Sequence, residues 1–102
     1  MITRLWRGWT SRANADGYEQ FLLTELFPSM RGIPGFRNAE VLRREDGTEV
    51  AFVTLTRFDS LEAIRAFAGG DYETAVIEPA ARALLSHYDE RAQHFASSSF
   101  LS

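Results

Sequence analysis

The chain has 102 residues, 45% of them hydrophobic and 13% aromatic, enough to fill one core but too few to divide between two. Cysteine is absent, which excludes disulfides, thiolate metal cages and a cysteine nucleophile, and a formal charge of −3 argues against broad attraction to nucleic acid or anionic lipid. Met1 to Thr10 carries arginines but no apolar run, and no later stretch reaches membrane-spanning length, so a soluble cytoplasmic protein without a signal peptide is expected.

Ile2 to Thr10 reads as a first strand, with Ile2, Leu5, Trp6 and Trp9 ended by a polar cluster. Asn14 is placed to cap a helix with Asp16 in its first turn. Tyr18, Leu22, Leu26 and Met30, widened by Leu23 and Phe27, form its apolar stripe, from which Phe21 is left out. Gly32, Pro34 and Gly35 break it. Phe36 to Arg44 and Glu49 to Phe58 read as a hairpin around Asp46-Gly47, where glycine accepts the positive φ of a tight turn. Asp59 and Glu62 have capping-box spacing for a second helix from Ser60, carrying Leu61, Ile64, Phe67 and Ala68 and ending at Gly69-Gly70. Ala80 to Leu85 reads as a short helical piece, Ser86 to Phe95 as a fourth strand, and 97–102 as a serine-rich tail after a domain of residues 1–96.

The order predicts an α+β, ferredoxin-like βαββαβ fold whose four-stranded antiparallel sheet carries both helices on one face. The other face should then be wet, yet the strands are apolar on both parities. Val50, Phe52 and Phe58 oppose Ala51, Val53 and Leu55, and Ile2 and Trp6 oppose Leu5 and Trp9. The plainest solution is a homodimer, a second copy packing sheet to sheet over the second face; the alternative is a monomer whose strands lie in a different register.

His87 and His94 lie seven apart on one predicted strand, so they face opposite ways and cannot share a metal, and no His, Asp and Glu cluster supports a metal site. His87 fits a solvated histidine or one paired with Asp89, whereas His94, with Tyr88 and Ala92 on its parity, is the candidate general base. Arg57 continues the apolar row Ala51, Val53, Leu55, and so either snorkels to the rim or faces an anionic ligand. Only one of Trp6 and Trp9 can line a given pocket, and Tyr72, beside a double glycine, suits a mobile segment over one. Ala51 to Leu55 loosely matches an RNA-binding strand motif, but Glu49 precedes it and the chain is acidic, so nucleic acid is not expected as a partner. No glycine-rich phosphate loop follows a strand, and there is no nucleophile elbow.

Leu5-Trp6-Arg7-Gly8-Trp9-Thr10, the run from Thr54 to Ala63, Phe67-Ala68-Gly69, Tyr88-Asp89-Glu90-Arg91 and His94-Phe95 together carry a resemblance. From Ile2 to Phe95 the chain resembles the antibiotic biosynthesis monooxygenase-like proteins of the dimeric α/β-barrel superfamily. The resemblance implies a dimeric barrel and oxidation of an electron-rich aromatic or polyketide-like small molecule by O₂, with no flavin, haem or metal. In such a reaction a base deprotonates the substrate, which itself reduces O₂. Residue chemistry then makes His94 the base and Arg57 the anion stabiliser, with Trp6, Tyr88, Phe52 and Tyr72 binding substrate. The haem-degrading branch is a poor match, because its proximal histidine is expected on a helix. Two alternatives stay open: a non-catalytic dimer that binds a ligand or scaffolds, and a cofactor-free isomerase or dehydratase.

Overall fold

In the computed structural model, which describes residues 1–101, β1 runs Ile2–Ser11 and leads directly into α1, Arg12–Phe21. Ser11, not Asn14, caps this helix, its Oγ accepting from the Asn14 N–H at 3.2 Å. The helix passes through a π-helical turn, Leu22–Leu26, into α2, Phe27–Ser29, and a 3₁₀ turn, Met30–Gly32. Pro28 has no N–H to offer the Thr24 carbonyl, which accounts for the widened turn before it. The stripe follows accordingly. Tyr18, Phe21 and Leu22 are buried as an i, i+3, i+4 set, the wide turn brings Phe27 and Met30 onto the same side, and Leu23 turns out to solvent. Leu23, expected on the stripe, is thus off it, and Phe21, expected outside it, is part of it, while Phe27 lies on it as expected.

β2, Phe36–Asp46, and β3, Glu49–Phe58, form the expected hairpin. Its two turn residues are Gly47 and Thr48, and Gly47 takes φ +63° at the first of them. Ser60 rather than Asp59 caps α3, Leu61–Ala68, accepting from the Ala63 N–H at 3.2 Å, while Asp59 is held by Arg37 at 2.6 Å. α4 is Pro79–Leu84, one residue earlier than expected, with the proline in the first turn, where no N–H is needed.

The predicted fourth strand is two strands, β4, Leu85–Tyr88, and β5, Gln93–Ala96, both antiparallel to β1. The sheet order is β2-β3-β1-β4, with β5 continuing along β1, so five strands replace the four expected. Gly8 pairs with Tyr88 and Leu5 with Gln93, so Asp89 to Ala92 bulge opposite only Trp6 and Arg7. The bulge is stitched outward: Ala92 N–H donates to Glu73 O at 2.6 Å and Ala75 N–H to Glu90 O at 2.9 Å. A two-residue excess preserves side-chain parity, which is why the histidines still face opposite ways.

The fold is α+β and ferredoxin-like, with the core between the helices and one sheet face. Burial alternates along all of β3, with Val50, Phe52, Thr54, Thr56 and Phe58 turned inward. Phe58 packs edge-on against Phe36, ring centroids 5.6 Å apart, and Phe52 edge-on against Tyr18 at 4.9 Å. Among the described residues no helix is long and apolar enough to cross a membrane.

Candidate active site

Arg4 lies on the helix-facing parity of β1, opposite Thr56 on one side and His94 on the other. It is only 4% exposed, in a row otherwise built from Trp6, Gly8 and Thr10. Its Nη1 donates to the Tyr72 carbonyl and lies 3.0 Å from His94 Nε2, and its Nη2 donates to the Thr74 carbonyl at 2.9 Å. The guanidinium sits 5.7 Å from the centre of the Phe67 ring. Burial draws the Arg4 pKa down to about 10.

A guanidinium only donates, so His94 Nε2 must accept, and the ring is neutral with its proton on Nδ1. That Nδ1 is buried without a partner. Burial first, and then the positive charge of Arg4, hold the His94 pKa below the ordinary imidazole value, with Glu73 opposing. The Tyr72 ring meets His94 edge-on at 5.0 Å and carries Arg65 over its own face at 5.3 Å.

Beside this cluster, a cavity of about 40 Å³ opens between sheet and helices. Arg4, Trp6, Thr54 and Thr56 form its sheet wall, with Leu22, Leu26, Met30, Phe67 and Ile77 among its apolar lining. Gly8 makes room for Trp6, since a Cβ there would come within 2.9 Å of Trp6 Cη2 and of Leu85 Cδ2. Trp6 Nε1 donates to the Asp89 carbonyl at 2.6 Å, so the bulge fixes the indole, and Tyr88 lies beyond it with ring centroids 6.1 Å apart.

The residues expected to form one site are thus divided. His94 and Tyr72 meet around Arg4, Trp6 lines the cavity, and Tyr88 touches Trp6 from a neighbouring surface cleft. Phe52 is part of the packed core against Tyr18. Arg57 lies on the opposite sheet face from His94, bonded to Asn38 at 3.0 Å and Glu40 at 3.2 Å, so within one chain the two do not share a substrate. His87 pairs with Glu49 at 3.1 Å and stacks on Trp9 at 4.4 Å, while Asp89, its expected partner, takes Arg7 at 2.7 Å. Arg4, Thr54 and Thr56 escaped the sequence reading. Arg4 interrupts the row of Ile2 and Trp6 as Arg57 interrupts that of Leu55, and the same argument applied to both arginines finds it.

A family model, antibiotic biosynthesis monooxygenase, matches residues 1–79. The chain belongs to the antibiotic biosynthesis monooxygenase family. The matched part holds Arg4, Trp6, Thr54, Thr56 and Tyr72, whereas both histidines follow it. Similar solved structures include the haem degrader MhuD of Mycobacterium tuberculosis with two haems in its active site, at 18% identity and TM-score 0.62 over the whole of both chains. A protein described as an antibiotic biosynthesis monooxygenase from Bacillus cereus is 14% identical with TM-score 0.65, covering 100% of this chain and 97% of its own. One described likewise from Chloroflexus aurantiacus is 14% identical with TM-score 0.61, covering 99% and 96%. At these identities the likeness to the three structures is one of fold. No curated protein sequence matches the chain.

Proposed function

We propose that the protein is a cofactor-independent monooxygenase acting on an electron-rich aromatic molecule in the cavity beneath Arg4, with His94 as general base. The observation that carries this reading is a neutral histidine, clamped between Arg4 and Tyr72, beside an apolar cavity in a chain of this family. A substrate CH₂ flanked by aromatic rings gives its proton to His94 Nε2 once Arg4 releases that atom. The carbanion passes one electron to O₂, and the resulting radical and superoxide combine to form a C–O bond. His94 returns its proton to the peroxide, and loss of the remaining C–H proton with O–O cleavage gives the ketone and one water. CH₂ plus O₂ thus becomes C=O plus H₂O, with no external reductant.

Haem, which the MhuD structure holds, does not fit these residues. His94 presents Nε2 to a guanidinium and buries Nδ1, and His87 lies on the far face beside Glu49, so neither ring is free to ligate iron from the cavity. Among the described residues no group of three or more His, Asp or Glu side chains is placed to hold a metal ion.

The reading includes a homodimer. The sheet face without helices carries Leu5, Trp9, Val53, Leu55 and an exposed Leu42, which a second copy would cover. The smallness of the cavity favours a second reading, a dimer that binds a ligand without turning it over. Oxygen uptake with anthrone-like substrates separates the two. Turnover that falls about 10²-fold or more in His94→Ala supports the base. Turnover unchanged in that variant removes it, and no uptake with any such substrate leaves the binding protein.

A further inference from the structure

Arg4 presents an electrostatic imbalance that its contacts do not resolve. Its partners are two carbonyls, an imidazole nitrogen and a ring face, and among the described residues none is a carboxylate. A buried cation without a counter-ion costs several kcal/mol on general grounds, and carbonyl dipoles offset only part of that. Three of the five guanidinium N–H groups are engaged, two on Nη1 and one on Nη2. The Nε–H and the second Nη2–H remain, the spacing that takes both oxygens of a carboxylate side by side. The neighbouring His94 ring adds a buried donor, Nδ1–H, and no negative charge. Arg4 stands in the cavity wall, and the rest of that wall is mostly apolar, with Leu22, Leu26, Met30, Phe67 and Ile77; the one carboxylate in the lining, Glu78, belongs to an exposed residue and makes no hydrogen bond to Arg4.

We propose that this cavity binds a carboxylic acid on an apolar, aromatic-sized body, its carboxylate held side-on by Arg4 Nε and Nη2. The proposal rests on the reading that the helix-side cavity is the ligand site, and it narrows the substrate class to acids. The cavity has space for only a few waters, so entry of a larger body requires the wall to yield. The part that can yield is the strap of residues 76–78, which lies past the main-chain ties of Glu73 and Ala75 to the bulge and contributes Val76, Ile77 and Glu78 to the lining. Arg4 holds the Tyr72 and Thr74 carbonyls just before that strap, and its free N–H groups would anchor the ligand. A neutral ligand of the same shape must open the strap without that anchor.

Calorimetric titration under nitrogen with 1-naphthoate and its neutral isostere 1-naphthamide tests this without any oxidation step. The acid is expected to bind at least about tenfold more tightly than the amide in the unmodified protein, the scale of a charge-assisted hydrogen bond. Arg4→Lys, which keeps the charge and loses the fork, should erase most of that preference. Ile77→Trp, which fills the cavity and leaves Arg4 intact, should abolish binding of both, and it decides the placement if Arg4→Lys does not fold. Equal binding of acid and amide, a preference unchanged in Arg4→Lys, or naphthoate still bound by Ile77→Trp would overturn the proposal. Acid binding without oxygen uptake removes the oxygenase and leaves this inference standing. Uptake with neutral substrates alone does the reverse.

Discussion

The two faces of the sheet are made by the same strands and treat polar groups in opposite ways. On the face without helices the charges balance locally: Arg57 meets Glu40 and Asn38, Arg7 meets Asp89, and His87 meets Glu49, all around the apolar patch of Leu5, Trp9, Leu42, Val53 and Leu55. On the helix face Arg43, on the edge strand, meets Asp16 and Glu19, but the buried polar groups are few, Arg4, Thr10, Thr54 and Thr56, and the one charge among them bonds to no carboxylate. Exposed pairs of the first kind contribute little to stability and suit the rim of an interface. An uncompensated donor set of the second kind stores a deficit that a ligand can fill. The difference separates the surface proposed to hold a partner from the pocket proposed to hold chemistry.

The largest expected effect tests whether the helix face alone holds the fold. Phe58 has 0% exposure and Phe95, on the opposite face, 50%. Phe58→Ala should cost about 3–5 kcal/mol in urea unfolding, from lost transfer energy and the cavity left behind. Phe95→Ala should cost less than about 1 kcal/mol by the same measurement, and comparable losses would mean that the second face is as dry as the first within one chain. Next, Leu42→Glu on the open face, where Leu42 is 46% exposed, should leave the circular dichroism spectrum intact. It should weaken self-association at least about a hundredfold in sedimentation, because a carboxylate enters a dry contact unpaired. An unchanged sedimentation profile would remove the dimer. Smaller again, Gly8→Ala should cost about 1–3 kcal/mol by overpacking against Leu85 and Trp6 and shift Trp6 emission in a Trp9→Phe background. Ala tolerated without either change would mean that Trp6 is not fixed where the cavity needs it.

What could be read from the sequence follows the range of the forces involved. Alternation in β3, the Asp46-Gly47 turn and the end of α3 at Gly69 depend on neighbours a few residues away, and they appear as the pattern predicts. The caps fell one to three residues from their expected places because serine, asparagine and aspartate all suit the role, and only the observed hydrogen bond selects Ser11 and Ser60. The break between β4 and β5 was illegible because its cause is remote, a main-chain exchange with Glu73 and Ala75. Parity puts His94 on the opposite face from His87, but it does not say which face the helices cover. Arg57 and Arg4 sit in similar apolar rows, and only the packing of α1 and α3 decides which row is buried on the side of His94.

The smallest effect asks whether the buried face depends on pH as its geometry requires. The groups facing His94 are Arg4 from β1, the Tyr72 ring and, at longer range, Glu73. Burial and Arg4 lower the folded pKa of His94, so near the ordinary value of about 6.5 the unfolded chain takes up a proton that the folded chain refuses. Its contribution to stability is therefore fully present above that pH and is lost as the pH falls through the lowered folded value. His94→Gln, which cannot titrate, should flatten the part of the stability curve that falls away below about pH 7. A curve as steep in His94→Gln as in the unmodified protein would mean that His94 takes no part in it, and the assignment of chemistry to the helix side would lose its base.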